Sequence, residues 1–209
     1  MNTIDSESAP ISLLAFSDFV GPWCYIGLVE VERLQTAYDL DVQFAPFLLD
    51  PTTPPEGKAR RQMTQPGDPP TAIEERASTL GISFTRGRTW SSNSHLALQA
   101  AVFSEERGDP LRFHRAMFKA YFEDLEEIGA IDTVVRIGTE AGLPEAELRA
   151  ALTSGQYRAE VDEKIQWAYQ VGVTAVPTFV LEEQYGIVGA QEGQVFRDVL
   201  LSKLGRAPR

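Results

Sequence analysis

Apolar and polar positions along the chain change period several times, and each change marks out an element. Ile11-Ser12-Leu13-Leu14-Ala15-Phe16 is a short apolar run bounded by Ser17-Asp18 and reads as a buried strand. Beyond the Gly21-Pro22 pair, apolar residues recur at Trp23, Ile26, Leu28, Val31 and Leu34. That near-helical spacing predicts a helix from Pro22 to Tyr38, with proline at its first position, where a missing N–H costs nothing. Asp41 to Phe47 alternates and predicts a second strand, so the chain opens with a β-α-β unit.

Periodicity then disappears from Asp50 to Pro70. This stretch holds Pro51, Pro54, Pro55, Pro66, Pro69 and Pro70, six of the 13 prolines. Such a segment is either a linker or a functional loop; the functional version is a lid or a pocket wall. From Thr71 to Val171 the pattern is helical. Leu111, His114, Met117, Phe118, Tyr121 and Phe122 form an i, i+3/i+4 stripe, which makes His114 a satisfied core or boundary residue. Asp132 is placed to cap a helix that Gly142 stops, and Pro144 opens the next, with Gly155 past its end. Tyr157, Val161, Ile165, Ala168 and Tyr169 share a face of a further helix ending at Gly172. Strand signals return at Thr178–Leu181 and Tyr185–Val188, and a closing helix runs from Gly193 to Leu204. The order β-α-β, helices, β-β-α places the chain in the α/β class, with a split sheet and a helical insertion.

Composition narrows the function. The chain has 209 residues, 43% hydrophobic and 23% charged, and a formal net charge of −11. That balance argues against nucleic acid, which needs a basic surface. The basic clusters Lys58, Arg60, Arg61 and Arg86, Arg88 read as solvated faces, as does the acidic run Glu123-Asp124, Glu126-Glu127. One cysteine and two separated histidines make no metal-ligand cluster, so no metal is expected. A single cysteine forms no internal disulfide. The amino terminus offers Asp5 and Glu7 but no basic leader, and its apolar run is too short for a membrane span. A cytoplasmic location, with no membrane partner, is therefore expected.

The candidate chemistry lies in Gly21-Pro22-Trp23-Cys24. Cys24 falls in the first turn of the predicted helix, where the positive end of the helix dipole favours a thiolate; burial would oppose it. Far along the chain, Val173-Thr174-Ala175-Val176-Pro177-Thr178-Phe179-Val180 puts a proline directly before a strand, a position that tolerates a cis bond in a tight turn. Asn93 or Ser94 can cap a helix at His95, and His95 is a weak acid–base candidate.

Taken together, a strand ending in Asp18-Phe19, then x-Pro-Trp-Cys-Tyr-Ile-Gly, then a late Gly-Val-x-x-Val-Pro-Thr-Phe, resemble the DsbA-like thioredoxin-fold family, and within it the FrnE-like branch with its Cys-Pro-Trp-Cys-Tyr-Ile-Gly motif. Pro54-Pro55-Glu56-Gly57, the Asn93 segment, Tyr121-Phe122 and Gly189-Ala190-Gln191 extend the resemblance over nearly the whole chain. It implies a thioredoxin-like domain from 10–50 and 172–205, interrupted by a Pro-rich loop and helical insertion over 51–171. It also implies that Pro177 is the family's cis-proline beside the active-site turn, and that a homodimer is in keeping with relatives.

The chain departs from the family where its first cysteine would stand. Gly21 occupies that position and Cys24 the second, so dithiol exchange is lost. The branch's histidine position after Asn93 aligns with Leu98, so His95 inherits no role. Related kappa-class glutathione transferases and 2-hydroxychromene-2-carboxylate isomerases lack the first cysteine too and use glutathione's thiol. The expected function is a thiol-dependent cis–trans isomerase acting on an unsaturated small molecule, with Cys24 as lone nucleophile and Gly21 opening the approach to it. Phe19, Gly21, Pro22, Trp23, Trp90, Asn93, His95, Val176 and Pro177 are the expected substrate-binding residues, with glutathione or another low-molecular-weight thiol as the expected cofactor. Alternatives are a monothiol oxidoreductase resolved by an external thiol and a non-catalytic binding member. The final helix N-terminus near Gly189-Ala190-Gln191 is a candidate carboxylate receiver.

Overall fold

The computed structural model describes residues 9–209; Asp5 and Glu7 lie outside the described residues. The apolar run forms strand β1 (Ile11–Ser17), followed by helix α1 (Pro22–Gln35) and strand β2 (Leu40–Pro46). β1 pairs with β2 in parallel, Ile11 opposite Leu40 through Ser17 opposite Pro46. On its other side β1 pairs antiparallel with β5 (Thr178–Leu181), and β5 with β6 (Tyr185–Val188), giving the order β2-β1-β5-β6. Phe16 is opposite Thr178, so the loop ahead of β5 and the turn after β1 emerge at the same end of the sheet. The Val176–Pro177 peptide bond in that loop is cis.

Helix α1 ends three residues before the predicted Tyr38. The N–H groups of both Ala37 and Tyr38 return to the Leu34 carbonyl, turning the chain, and Tyr38 stays in the core as a loop residue. Within α1, Gly27 allows a close approach: a Cβ there would meet Phe179 Cζ at 2.7 Å and Pro177 Cγ at 3.0 Å. The glycine is what lets the cis-proline loop and β5 lie against the helix.

The proline-rich segment is an ordered wall. It contributes β3 (Lys58–Ala59), which pairs antiparallel with β4 (Trp90–Ser91). Arg86 donates to the carbonyls of Gln65, Asp68 and Pro69 and to both oxygens of Glu74 in helix α2 (Ala72–Thr79). Thr71 caps α2 reciprocally with Glu74. Helices α3 (His95–Arg107), α4 (Pro110–Phe122), α5 (Ile131–Glu140), α6 (Glu145–Ser154) and α7 (Arg158–Gln170) follow, and α8 (Gly193–Leu204) closes the chain. One buried apolar cluster runs from Leu13 and Ile26 through Phe113 and Phe118 to Val161 and Leu200, so sheet and inserted helices share a core.

Several local expectations change. Ala130, not Asp132, takes the N-cap position of α5; Asp132 sits in its first turn and receives Arg149 at 2.5 Å. Tyr169 is exposed, because the α7 face turns outward after Ala168, and its hydroxyl donates to the Leu48 carbonyl. The acidic run is not simply solvated: Glu123 accepts the Tyr25 hydroxyl at 2.5 Å and Glu127 accepts from Ser92 at 2.9 Å.

Candidate functional site

The site is built from the turn between β1 and α1. Gly21 is the N-cap residue of α1, in extended backbone (φ −89°, ψ 108°), with no side-chain cap and no acidic residue in the first turn. Pro22 fills the first helical position and Trp23 is 43% exposed. The positive end of α1 is thus left open to an external group.

Cys24 does not share that openness. It is 2% exposed, and burial pushes its thiol up to about 12, although hydrogen bonding from the Asp18 backbone and the Ser17 side chain pulls the other way. The helix dipole is outweighed because the sulfur points back into the core rather than out along the axis. Gly21 does not open an approach to it either. A Cβ at Gly21 would lie 2.8 Å from Cys24 Sγ and 3.2 Å from the Asp18 carbonyl oxygen, so the sulfur itself closes the space beneath the glycine. The requirement for an exposed thiolate nucleophile is not met, for the isomerase and the monothiol oxidoreductase alike.

Other expected residues separate. Phe19 is 1% exposed and packs on Phe113, His114 and Phe118, as a core residue and not a pocket wall. Asn93 is committed to the backbone: its Nδ2 donates to the Thr53 carbonyl at 2.7 Å and its Oδ1 accepts the His95 N–H at 2.9 Å. Trp90 covers Gly57, where a Cβ would collide with its indole Nε1. His95 is engaged with α7 and its own helix, 2.8 Å from Asp162 and 3.0 Å from Gln99 Nε2. His114 is buried against Phe44, with ring centroids 3.7 Å apart, and desolvation lowers it to about 4. The structure brings together Gly21, Pro22, Trp23, Val176 and Pro177 at one end of the sheet. No intrachain hydrogen bond engages the Val176 backbone N–H or C=O among the described residues.

Three features escape sequence reasoning. Asp18, 1% exposed, accepts from the Leu49 N–H at 2.7 Å and the Val20 N–H at 3.3 Å, and burial raises it to about 6. Glu30 of α1 is buried, ion-paired with Arg76, and accepts the Gly193 N–H at 3.1 Å. The N-terminus of α8 therefore already holds a carboxylate, the protein's own, where an external one was expected. The third is a cavity of about 270 Å³ beside Pro22, lined by Arg60, Met63, Phe84, Arg88 and Phe122 among others. Only Pro22 of the expected site residues reaches it. Its signal in sequence was the two basic clusters, whose convergence needs the β3–β4 pairing.

The model of the DSBA-like thioredoxin domain matches residues 12–201. A Bacillus subtilis protein, the uncharacterized YwbO, is 27% identical over 197 residues, covering 91% of this chain and 96% of its own. The crystal structure of a probable DsbA oxidoreductase from Streptomyces coelicolor superposes with a TM-score of 0.82 at 25% identity, covering 95% of this chain and 92% of its own. A 2-hydroxychromene-2-carboxylate isomerase has the same fold, with a TM-score of 0.68 at 15% identity over 93% of this chain and 94% of its own.

Proposed function

The chain belongs to the DSBA-like thioredoxin domain family, and from that premise we propose that it is a thiol-dependent isomerase whose reacting thiol is supplied by a bound low-molecular-weight thiol rather than by Cys24. The observation that carries this reading is the pairing of an open α1 N-terminus at Gly21 with a Cys24 sealed at 2% exposure. A glutathione-type thiol fits the residues present. The N-terminus of α1 lacks an acidic or capping side chain, so it favours an anionic sulfur. Val176, ahead of the cis bond, offers a backbone N–H and C=O without partners among the described residues, suited to a peptide-like body. When bound, such a thiol supplies a nucleophile that adds to a conjugated double bond, permits rotation and departs without net redox change.

The residues of the chain then hold and orient. Gly21 leaves room at the helix tip, Pro22 and Trp23 form the rim, and Val176 fixes the partner's backbone. Cys24 plugs the floor beneath Gly21. The 2-hydroxychromene-2-carboxylate isomerase among the structural neighbours supports isomerisation as a chemistry this fold can host.

The test is turnover of a cis-α,β-unsaturated ketone with purified protein, with and without glutathione. Turnover that requires glutathione and survives Cys24→Ser within about twofold is expected. Glutathione-independent turnover abolished by Cys24→Ser would return the chemistry to the protein's own sulfur.

A further inference from the structure

We infer that the cavity beside Pro22 binds an apolar carboxylic acid, its carboxylate on Arg60 and Arg88 and its apolar body against Phe84 and Phe122. The volume, about 270 Å³, is near the lower end of the ~300–1,000 Å³ typical of small-molecule sites. One wall is aromatic. The rings of Phe84 and Phe122 lie 5.3 Å apart and continue into Tyr25, while Met63, 82% exposed, stands at the rim with a flexible thioether able to cover a ring.

The charged lining is cationic but for one residue, in a chain of net charge −11. The lining carboxylate, Glu74, is already taken by Arg86 through two contacts of 2.7 Å, and this pairing holds it down at about 2. Arg88 is half-spent on the backbone, donating to the carbonyls of Tyr121 and Glu126, and its guanidinium lies 3.7 Å from the Tyr121 ring centroid. Its nearest carboxylate is Glu127 at 3.9 Å, which also receives Ser92. Arg60 has no side-chain partner among the described residues, and Arg88 is lowered chiefly by burial, with the charge of Arg60 adding to it. Two under-neutralised guanidiniums lining a cavity with an aromatic wall match a carboxylate in sign and in hydrogen-bonding type. As a binding site this stands on the cavity alone. As the substrate site it rests on the proposed thiol chemistry at the adjoining Gly21 tip.

The test is calorimetric binding to the full chain, without any thiol, of trans-cinnamate and of neutral cinnamamide. Cinnamate should bind about tenfold tighter or more, and Arg60→Glu should remove that advantage while Arg60→Lys retains most of it. Arg158→Glu, at another arginine without a side-chain partner among the described residues and outside the cavity, supplies the charge control and should change nothing. Arg60 is exposed, so its variants fold. Equal affinity for acid and amide, no binding of either, or equal losses in Arg60→Glu and Arg158→Glu would overturn the proposal. Because no thiol is present, failure here leaves the proposed chemistry standing, and failure of the turnover test leaves this site standing.

Discussion

At Gly21 a single missing side chain separates two chemistries on one backbone. The glycine is in extended conformation, which any residue adopts, and a Cβ placed on it lies 2.8 Å from Cys24 Sγ. In a disulfide that Cβ-to-partner-sulfur distance is about 3 Å. Gly21→Cys should therefore close a disulfide between the introduced thiol and Cys24 under glutathione disulfide, read as the loss of two hydrogens by intact mass, and gain insulin-reducing activity. A variant that stays reduced, or takes up glutathione without closing, would show that the turn no longer holds redox geometry. The motif and its missing cysteine were legible from the residues. The sealing of Cys24 was not, because the first turn of a helix says where a sulfur begins and not which way it points.

Helix α1 shows what an element conceals in one dimension. Its apolar spacing was readable, and so were the bounds of β5, β6 and α8, because alternation and glycine punctuation are local signals. The roles of Gly27 and Glu30 are non-local. Gly27 sits where Pro177 and Phe179 pack. Gly27→Ala should improve intrinsic helicity but force Phe179 aside, with a net loss of about 1–3 kcal/mol by urea denaturation. A gain in stability would mean that the loop yields easily. Glu30 joins α1 to Arg76 of α2 and to the start of α8, partners that only the fold assembles.

Over the whole molecule, two buried titrations oppose each other. Asp18, raised from 3.8 to about 6, favours the folded state fully below pH 3.8 and loses that contribution as pH rises through 6. His114, lowered from 6.5 to about 4, costs nothing above 6.5 and destabilises progressively as pH falls toward 4. Each is on the order of 3 kcal/mol, so these two contributions should nearly cancel between pH 4 and 6. Asp18→Asn should unmask the histidine and give a variant that weakens on acidification across that window, measured by urea titration at both ends. A variant whose stability follows pH as the parent's does would mean that Asp18 titrates as an ordinary carboxyl.

The Arg86 tie gives the proline-rich wall one more property. Residues before Met63 are paired to β4 and through Gln62 to the Gly87 carbonyl, and residues after it are fastened by Arg86. A protease that severs the chain at this exposed tip would leave both new ends attached to the same short stretch, 86–91. The nicked protein would keep its shape and sediment as one body, coming apart into two fragments only in denaturant.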